Sequence, residues 1–221
     1  MSYKYIFTRV NENIDWILND EEISNNSIIY AKGEPLNIKN EILTENVGKD
    51  AGSHLKFIID NYENLPDVCV FSQARISDHY LYGRPGNIES LKKLKDDAFT
   101  YGESPYVEIP NDKAWMKDWN FQEIEGHTHY FKDPSVYKNG NIINFIDWFN
   151  IHVDSKSTDI KRFHPCCIFS VSKEKILARS KNYYINLFDQ INWHWNAIEI
   201  GHVESSWYHI FNPLFVKFYK C

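Results

Sequence analysis

The sequence predicts an α/β fold: a mixed, mainly parallel sheet flanked by helices, forming one domain over residues 1–221. Three observations predict it. Short apolar runs alternate with helical patterns through the first half of the chain, the signature of strands laid side by side through helical crossovers. The run Val68-Cys69-Val70-Phe71 is apolar throughout, as a strand covered on both faces requires. Hydrophobic residues make up 43 % of the 221 and aromatics 16 %, enough to fill one sizeable core.

Taken in order, Tyr5-Ile6-Phe7 reads as a first strand ending at the polar Arg9-Val10-Asn11-Glu12. A helix is predicted from Asn13 to Leu18, with Ile14, Ile17 and Leu18 at helical spacing. Ser27 to Tyr30 reads as a second strand, stopped by Lys32-Gly33-Glu34-Pro35. Asp50 is the expected cap of a helix carrying Leu55, Ile58, Ile59 and Tyr62 at i, i+3, i+4, i+7. That helix stops before Leu65-Pro66, and the buried strand at Val68 follows. Asn87 caps a helix reaching to Phe99. From about 100 to 150 only Ile142 to Phe149 reads clearly as helix. A strand at Cys166 to Val171 leads into helices over Lys173 to Ala178 and Asn182 to Trp193. The last helix spans Glu204 to Phe211, with Phe215 and Phe218 packing back behind it.

The net charge of −6 argues against sequence-independent binding to nucleic acid or an anionic membrane, which needs a basic field. It leaves local phosphate binding open. The opening MSYKYIFTRVNENIDW lacks a basic region followed by an apolar one, so no signal peptide is expected. No apolar run approaches the roughly 18–20 residues of a membrane span. The four cysteines, Cys69, Cys166, Cys167 and Cys221, form no CxxC. Reduced, mostly buried thiols in a cytoplasmic protein are the expectation.

In an open α/β sheet, ligands bind outside the carboxyl ends of the strands. Three polar clusters fall at such ends: Arg9-Asn11-Glu12, Lys32-Gly33, and the stretch from Gln73 to His79. Parallel strands would bring all three to one crevice.

The segments TRVNENIDW, IIYAKGEPL, ENVGKDAGSHLKFIIDNYENLPDVCVFSQ, HPCCIFSVSKEKILARSKNYYINL and ESSWYHIF resemble, in that order, the blocks of the uncharacterised family DUF3431. The matching blocks span nearly the whole chain. Their layout resembles that of GT-A glycosyltransferases, which are Rossmann-like. The resemblance implies a first strand ending at a nucleotide, a later strand carrying metal or diphosphate contacts, and a C-terminal carboxylate. The start Asn46-Val47-Gly48-Lys49-Asp50 is similar to an N-G-R-D helix start of polysaccharide-synthesis transferases. The sequence departs from the family at Lys49 and Asp50, where Arg and Glu are usual. Ala31 stands for Asn and Ser205 for Arg, and no D-x-D occurs. Metal dependence is therefore open between Mn²⁺ or Mg²⁺ and no metal.

On this reading, Arg9, Asn11 and Glu12 recognise base or ribose through guanidinium, amide and carboxylate groups. They also fit a polar turn that caps the next helix. Gly48-Lys49-Asp50 opens a helix, where free N–H groups and the dipole favour an anion. Lys32, Asn46 and Lys49 would face the donor there, although Asp50 would repel phosphate. Gln73 and Arg75 would meet the diphosphate, and Asp78 and His79, with His202, are the candidate metal ligands. Glu204 is the candidate base that deprotonates an acceptor hydroxyl. It also fits a helix-start carboxylate that stabilises the dipole.

Glu123, Glu125, His127 and His129 alternate, so on a strand they would share one face suited to metal ligation, or form the wet face of an edge strand. Arg162 and His164 could face substrate but fit surface positions better. Trp115, Trp119, Trp148, Trp193, Trp195 and Trp207 read as packing residues, none assigned to a ligand. The chain has no G-x-S-x-G, Walker loop or G-x-G-x-x-G. The leading expectation is glycosyl transfer from a nucleotide-diphosphate sugar to a glycan or small hydroxyl acceptor. Its rivals are a metal-dependent hydrolase of a phosphate ester or sugar conjugate, and a non-catalytic nucleotide-sugar binder.

Overall fold

The structure is a computed structural model; it describes residues 1–77, 87–96, 107–108, 134–141, 143, 145–154, 162–163 and 167–212. Five strands form the main sheet: β1 (Tyr3–Arg9), β2 (Ser27–Ala31), β3 (Glu41–Leu43), β4 (Val68–Gln73) and β7 (Phe169–Ser172). Their order is β3-β2-β1-β4-β7. The first four run parallel, while β7 pairs antiparallel with β4, Phe71 opposite Phe169. A short antiparallel pair joins β5 (Val107–Glu108) to β6 (Arg162–Phe163).

Side-chain alternation along the strands explains why both faces need cover. Tyr5, Phe7, Val68 and Val70 enter one apolar cluster with Ile17 of α1 (Asp15–Leu18) and Ile23 of α2 (Glu21–Asn25). Leu91 of α4 (Ile88–Lys93) joins the same face. Ile6, Cys69 and Phe71 point the other way, into the larger cluster. There they meet α3 (Lys49–Asn61), α5 (Phe145–His152), α6 (Lys173–Leu177), α7 (Lys181–Ile191) and α8 (Ile198–Phe211). The result is a mixed α/β protein whose mostly parallel sheet is flanked by helices on both faces. Among the described residues, no helix is long and apolar enough to cross a membrane. Cys69 and Cys167 are buried thiols outside any disulfide.

Several elements differ from expectation. The first helix opens at Asp15, two residues after Asn13, whose Oδ1 accepts from the Asp15 amide at 2.7 Å. Asp50 is not the cap of α3: Gly48 is, with a left-handed φ of 67° and no side-chain cap bond. A Cβ at Gly48 would lie 3.0 Å from the Gly52 Cα and 3.3 Å from the Ile191 carbonyl, so the turn requires glycine twice over. Asp50 sits instead in the first helical turn. Asn87 does cap α4, accepting from the Ser90 amide at 2.9 Å, but the helix closes at Lys93 rather than Phe99. The strand expected from Cys166 opens at Phe169. The last helix begins six residues before Glu204, at Ile198. His202 and Glu204 are therefore mid-helix, and the dipole role considered for Glu204 belongs to Glu199 in the first turn.

Candidate functional site

The chain runs from β1 to β2 on one side and returns through β4 on the other, so the order reverses between β1 and β4. Such a switch point opens a crevice at the carboxyl edge of a parallel sheet. A cavity of about 370 Å³ lies there, lined by Thr8, Glu12, Lys32, Asn46, Lys49, Asp50, Gln73, Arg75 and Trp195, with Val10. Thr8 and Gln73 are direct register partners across the switch point. The clusters at the ends of β1, β2 and β4 thus meet the start of α3 in one place.

Not every expected contact faces this space. Arg9 is buried, its Nε donating to the Glu12 carbonyl at 3.0 Å and its Nη1 to the Glu34 carbonyl at 2.6 Å. Asn11 accepts from the Glu34 amide at 2.9 Å. Both side chains clasp the loop after β1 to the loop after β2. Gly33 makes this clasp possible, because a Cβ there would come within 2.0 Å of the Val10 carbonyl oxygen. Glu12 remains at the crevice wall while its Oε2 accepts from the Val10 amide at 2.6 Å.

Lys32 is buried and donates to the backbone carbonyls of Val47 and Glu45. It thereby fastens the Asn46 loop to the end of β2. Burial pulls its ammonium down to about 8, against the opposing pull of Asp50. Asp50 is only partly exposed. Burial pushes its carboxyl up to about 7, the nearby Glu204 adds to the rise, and Lys32 opposes it. Glu12 raises it further and Lys49 lowers it. Groups of opposite charge with values displaced toward neutrality occur at proton-transfer sites and in buried structural ion-pair networks alike.

Glu204, on α8, lies near enough to Asp50 for its charge to act on that carboxyl. Its Oε1 accepts from the Cys167 thiol at 3.3 Å, which holds the carboxylate toward the start of β7. His202, two positions earlier, points about 200° away around the helix. It is 1 % exposed and packs on the rings of Phe145 and Trp148 at 5.5 and 5.3 Å. Burial pulls its imidazole down to about 3. His202 and Glu204 therefore face different surroundings.

Asp78 and His79, expected to share an ion with His202, lie outside the described residues. The same holds for Glu123, Glu125, His127 and His129, for Trp115 and Trp119, and for His164. Among the described residues, no group of three His, Cys, Asp or Glu side chains is placed to hold a metal.

The model of the family described as "Protein of unknown function (DUF3431)" matches residues 6–217. This chain belongs to the DUF3431 family. No curated protein and no solved structure matches it.

Sequence reasoning missed two residues there. Thr8 is 4 % exposed and, among the described residues, its Oγ1 has no hydrogen-bond partner, although it lines the cavity. Its position at the end of β1 was the available signal. Trp195 also lines the cavity and is 52 % exposed. No spacing in the sequence separates it from the packing tryptophans, whereas Trp148 and Trp207 are buried.

Proposed function

We propose that this DUF3431 protein transfers a glycosyl group from a nucleotide-diphosphate sugar to a hydroxyl acceptor. The observation that carries the reading is the crevice at the switch point, where Lys32, Lys49 and Arg75 share one wall system with Asp50, close to Glu204. The GT-A-like layout asks for this distribution: nucleotide contacts after the first strand, diphosphate contacts after a later one, and a carboxylate from a C-terminal element.

In the transfer, Glu204 accepts the proton of the acceptor hydroxyl as its oxygen attacks the anomeric carbon. The new C–O bond forms while the bond from that carbon to the diphosphate oxygen breaks, and the diphosphate leaves with the electron pair. Attack from the opposite face inverts the anomeric centre. Lys49 and Arg75 balance the charge gathering on the leaving group, and fixed charges aimed at that position are an effective form of catalysis. Asp50, adjacent in charge to Glu204 and titrating near neutral pH, carries the proton onward to solvent. A metal held through Asp78 and His79 would add Lewis-acid stabilisation of the diphosphate; no step here depends on it.

The test has two parts. A thermal-shift screen of UDP-, GDP-, CMP- and dTDP-sugars, each with Mn²⁺, Mg²⁺ or EDTA, should reveal a nucleotide-specific rise in Tm, because a ligand of the native state stabilises it by mass action. Glu204→Gln should then lower transfer by about 10²-fold or more with the nucleotide shift retained. A fully active Glu204→Gln enzyme would remove the base assignment. Saturable binding with no turnover of any donor would leave a non-catalytic binder.

A further inference from the structure

We infer that Trp195 is a stacking platform for a pyranose ring, and that the acceptor of this protein is accordingly a carbohydrate rather than a protein or lipid hydroxyl. The inference rests on the transferase reading and names the acceptor class of the same crevice.

Trp195 occupies the link between α7 and α8, and that link is pinned on both sides of it. The Trp193 indole donates to the Gln190 carbonyl at 3.0 Å. The His194 carbonyl accepts from the Gly48 amide at 3.2 Å, tying the link to the start of α3. The His194 Nδ1 accepts from the Asn196 amide at 3.1 Å. The His194 ring stands beside the indole with centroids 6.0 Å apart. The backbone is thus fixed while the indole of Trp195 stays 52 % exposed on the crevice wall. A large aromatic face held this way gives contact area at little cost in conformational entropy.

The remaining lining matches the other surfaces of a sugar. Thr8 offers a buried hydroxyl without a partner among the described residues, and Asp50, Asn46 and Gln73 offer acidic and amide groups. A pyranose has one face of C–H bonds for the indole and a rim of hydroxyls for these polar groups. The assignment to the acceptor follows from chain position. The link bearing Trp195 runs directly into α8, which carries Glu204, the base for the acceptor hydroxyl. The cationic residues suited to the donor diphosphate come from other elements, Lys49 from the first residue of α3 and Arg75 from the segment after β4.

Saturation-transfer NMR on the full chain tests this with methyl β-D-glucopyranoside, cellobiose and maltose as probes, alongside UDP and GDP. At least one pyranoside should receive saturation mainly at the C–H protons of one ring face. The signal should fall at least fivefold in Trp195→Ala and persist in Trp195→Phe, with the nucleotide signals unchanged in both. Nucleotide binding without any pyranoside signal, or a pyranoside signal indifferent to Trp195→Ala, overturns the inference and leaves the transferase reading standing. Disappearance of the nucleotide signal in Trp195→Ala, with no pyranoside signal in the parent chain, makes the indole a base platform and also overturns it. A pyranoside signal that vanishes in Trp195→Ala, with no nucleotide binding at all, supports the stacking site and removes the transfer reading. Absence of every signal overturns both.

Discussion

One turn of α3 separates Asp50 from His54, and the two illustrate what burial does in different company. His54 is fully buried, with its ring against Phe71 at 4.8 Å, Phe169 at 5.7 Å and Trp207 at 6.2 Å. Burial pulls its imidazole down to about 3, while the Ser72 backbone pulls weakly the other way. It is neutral over the whole physiological range and acts as a core residue. Asp50 is also pushed toward its neutral form by burial, yet it touches the cavity and shares it with Lys32, Glu12 and Lys49. Its carboxyl titrates near 7, in contact with whatever enters. Desolvation alone silences a group; desolvation at the mouth of a cleft, among other charges, leaves it able to exchange a proton.

The largest effect should come from breaking the core side of this comparison. Trp207 is completely buried, stacked on Phe211 at 5.7 Å and tilted against Phe169 at 5.3 Å. Trp207→Ala should cost about 3–5 kcal/mol of folding stability, read as a lower urea midpoint at constant slope. A loss under about 1 kcal/mol would mean that the cluster around His54 is not the tight core described.

Proton linkage sharpens the contrast. His54 and His202 have folded values below the unfolded one, so the unfolded chain binds more protons as pH falls from about 6.5 toward 3, and stability is lost in that direction. Asp50 has the opposite sign. Its folded value lies above the unfolded one, so its contribution is fully present below about 4 and is lost as pH rises through about 7. Between about 4 and 6.5 the two histidines outweigh the one carboxyl. Asp50→Asn should therefore make stability rise more steeply with pH over this window, by close to one proton, or about 1.4 kcal/mol per pH unit. Urea melts at half-unit pH steps would show it, and unchanged slopes would place Asp50 among ordinary surface carboxylates.

The smallest effect belongs to charges in neither setting. Lys92 Nζ meets Asp20 at 2.6 Å with both side chains about one-fifth exposed. Lys92→Met should cost about 0.2–1 kcal/mol and leave nucleotide shifts untouched. A larger loss would show that the ion pairs between α4 and α2 organise the thinner helical layer.

Much of the fold was legible because its signals are local. The continuous apolar run at Val68 announced a strand covered on both faces, and the i, i+3, i+4, i+7 pattern from Leu55 announced α3 to within a residue or two. Asn87 announced its own helix through a cap geometry that needs only four residues. The placement of polar clusters at the ends of β1, β2 and β4 was readable for the same reason.

Sequence by itself thus determined β1, β2, β4, α1 and α3 of the parallel half, though not α2 or β3, and the edge of the sheet at which its polar residues gather. Tertiary structure decided the rest. It set the antiparallel direction of β7 and started α8 at Ile198, so that Glu204 turns toward Asp50 while His202 turns into the rings of Phe145 and Trp148. It also gave Arg9 and Asn11 to the clasp between two loops and left Thr8 and Trp195 at the cavity. The physical reason is range: periodicity and capping depend on neighbours within a turn or a pleat, whereas the partner of a guanidinium or the exposure of an indole depends on segments far apart in the chain.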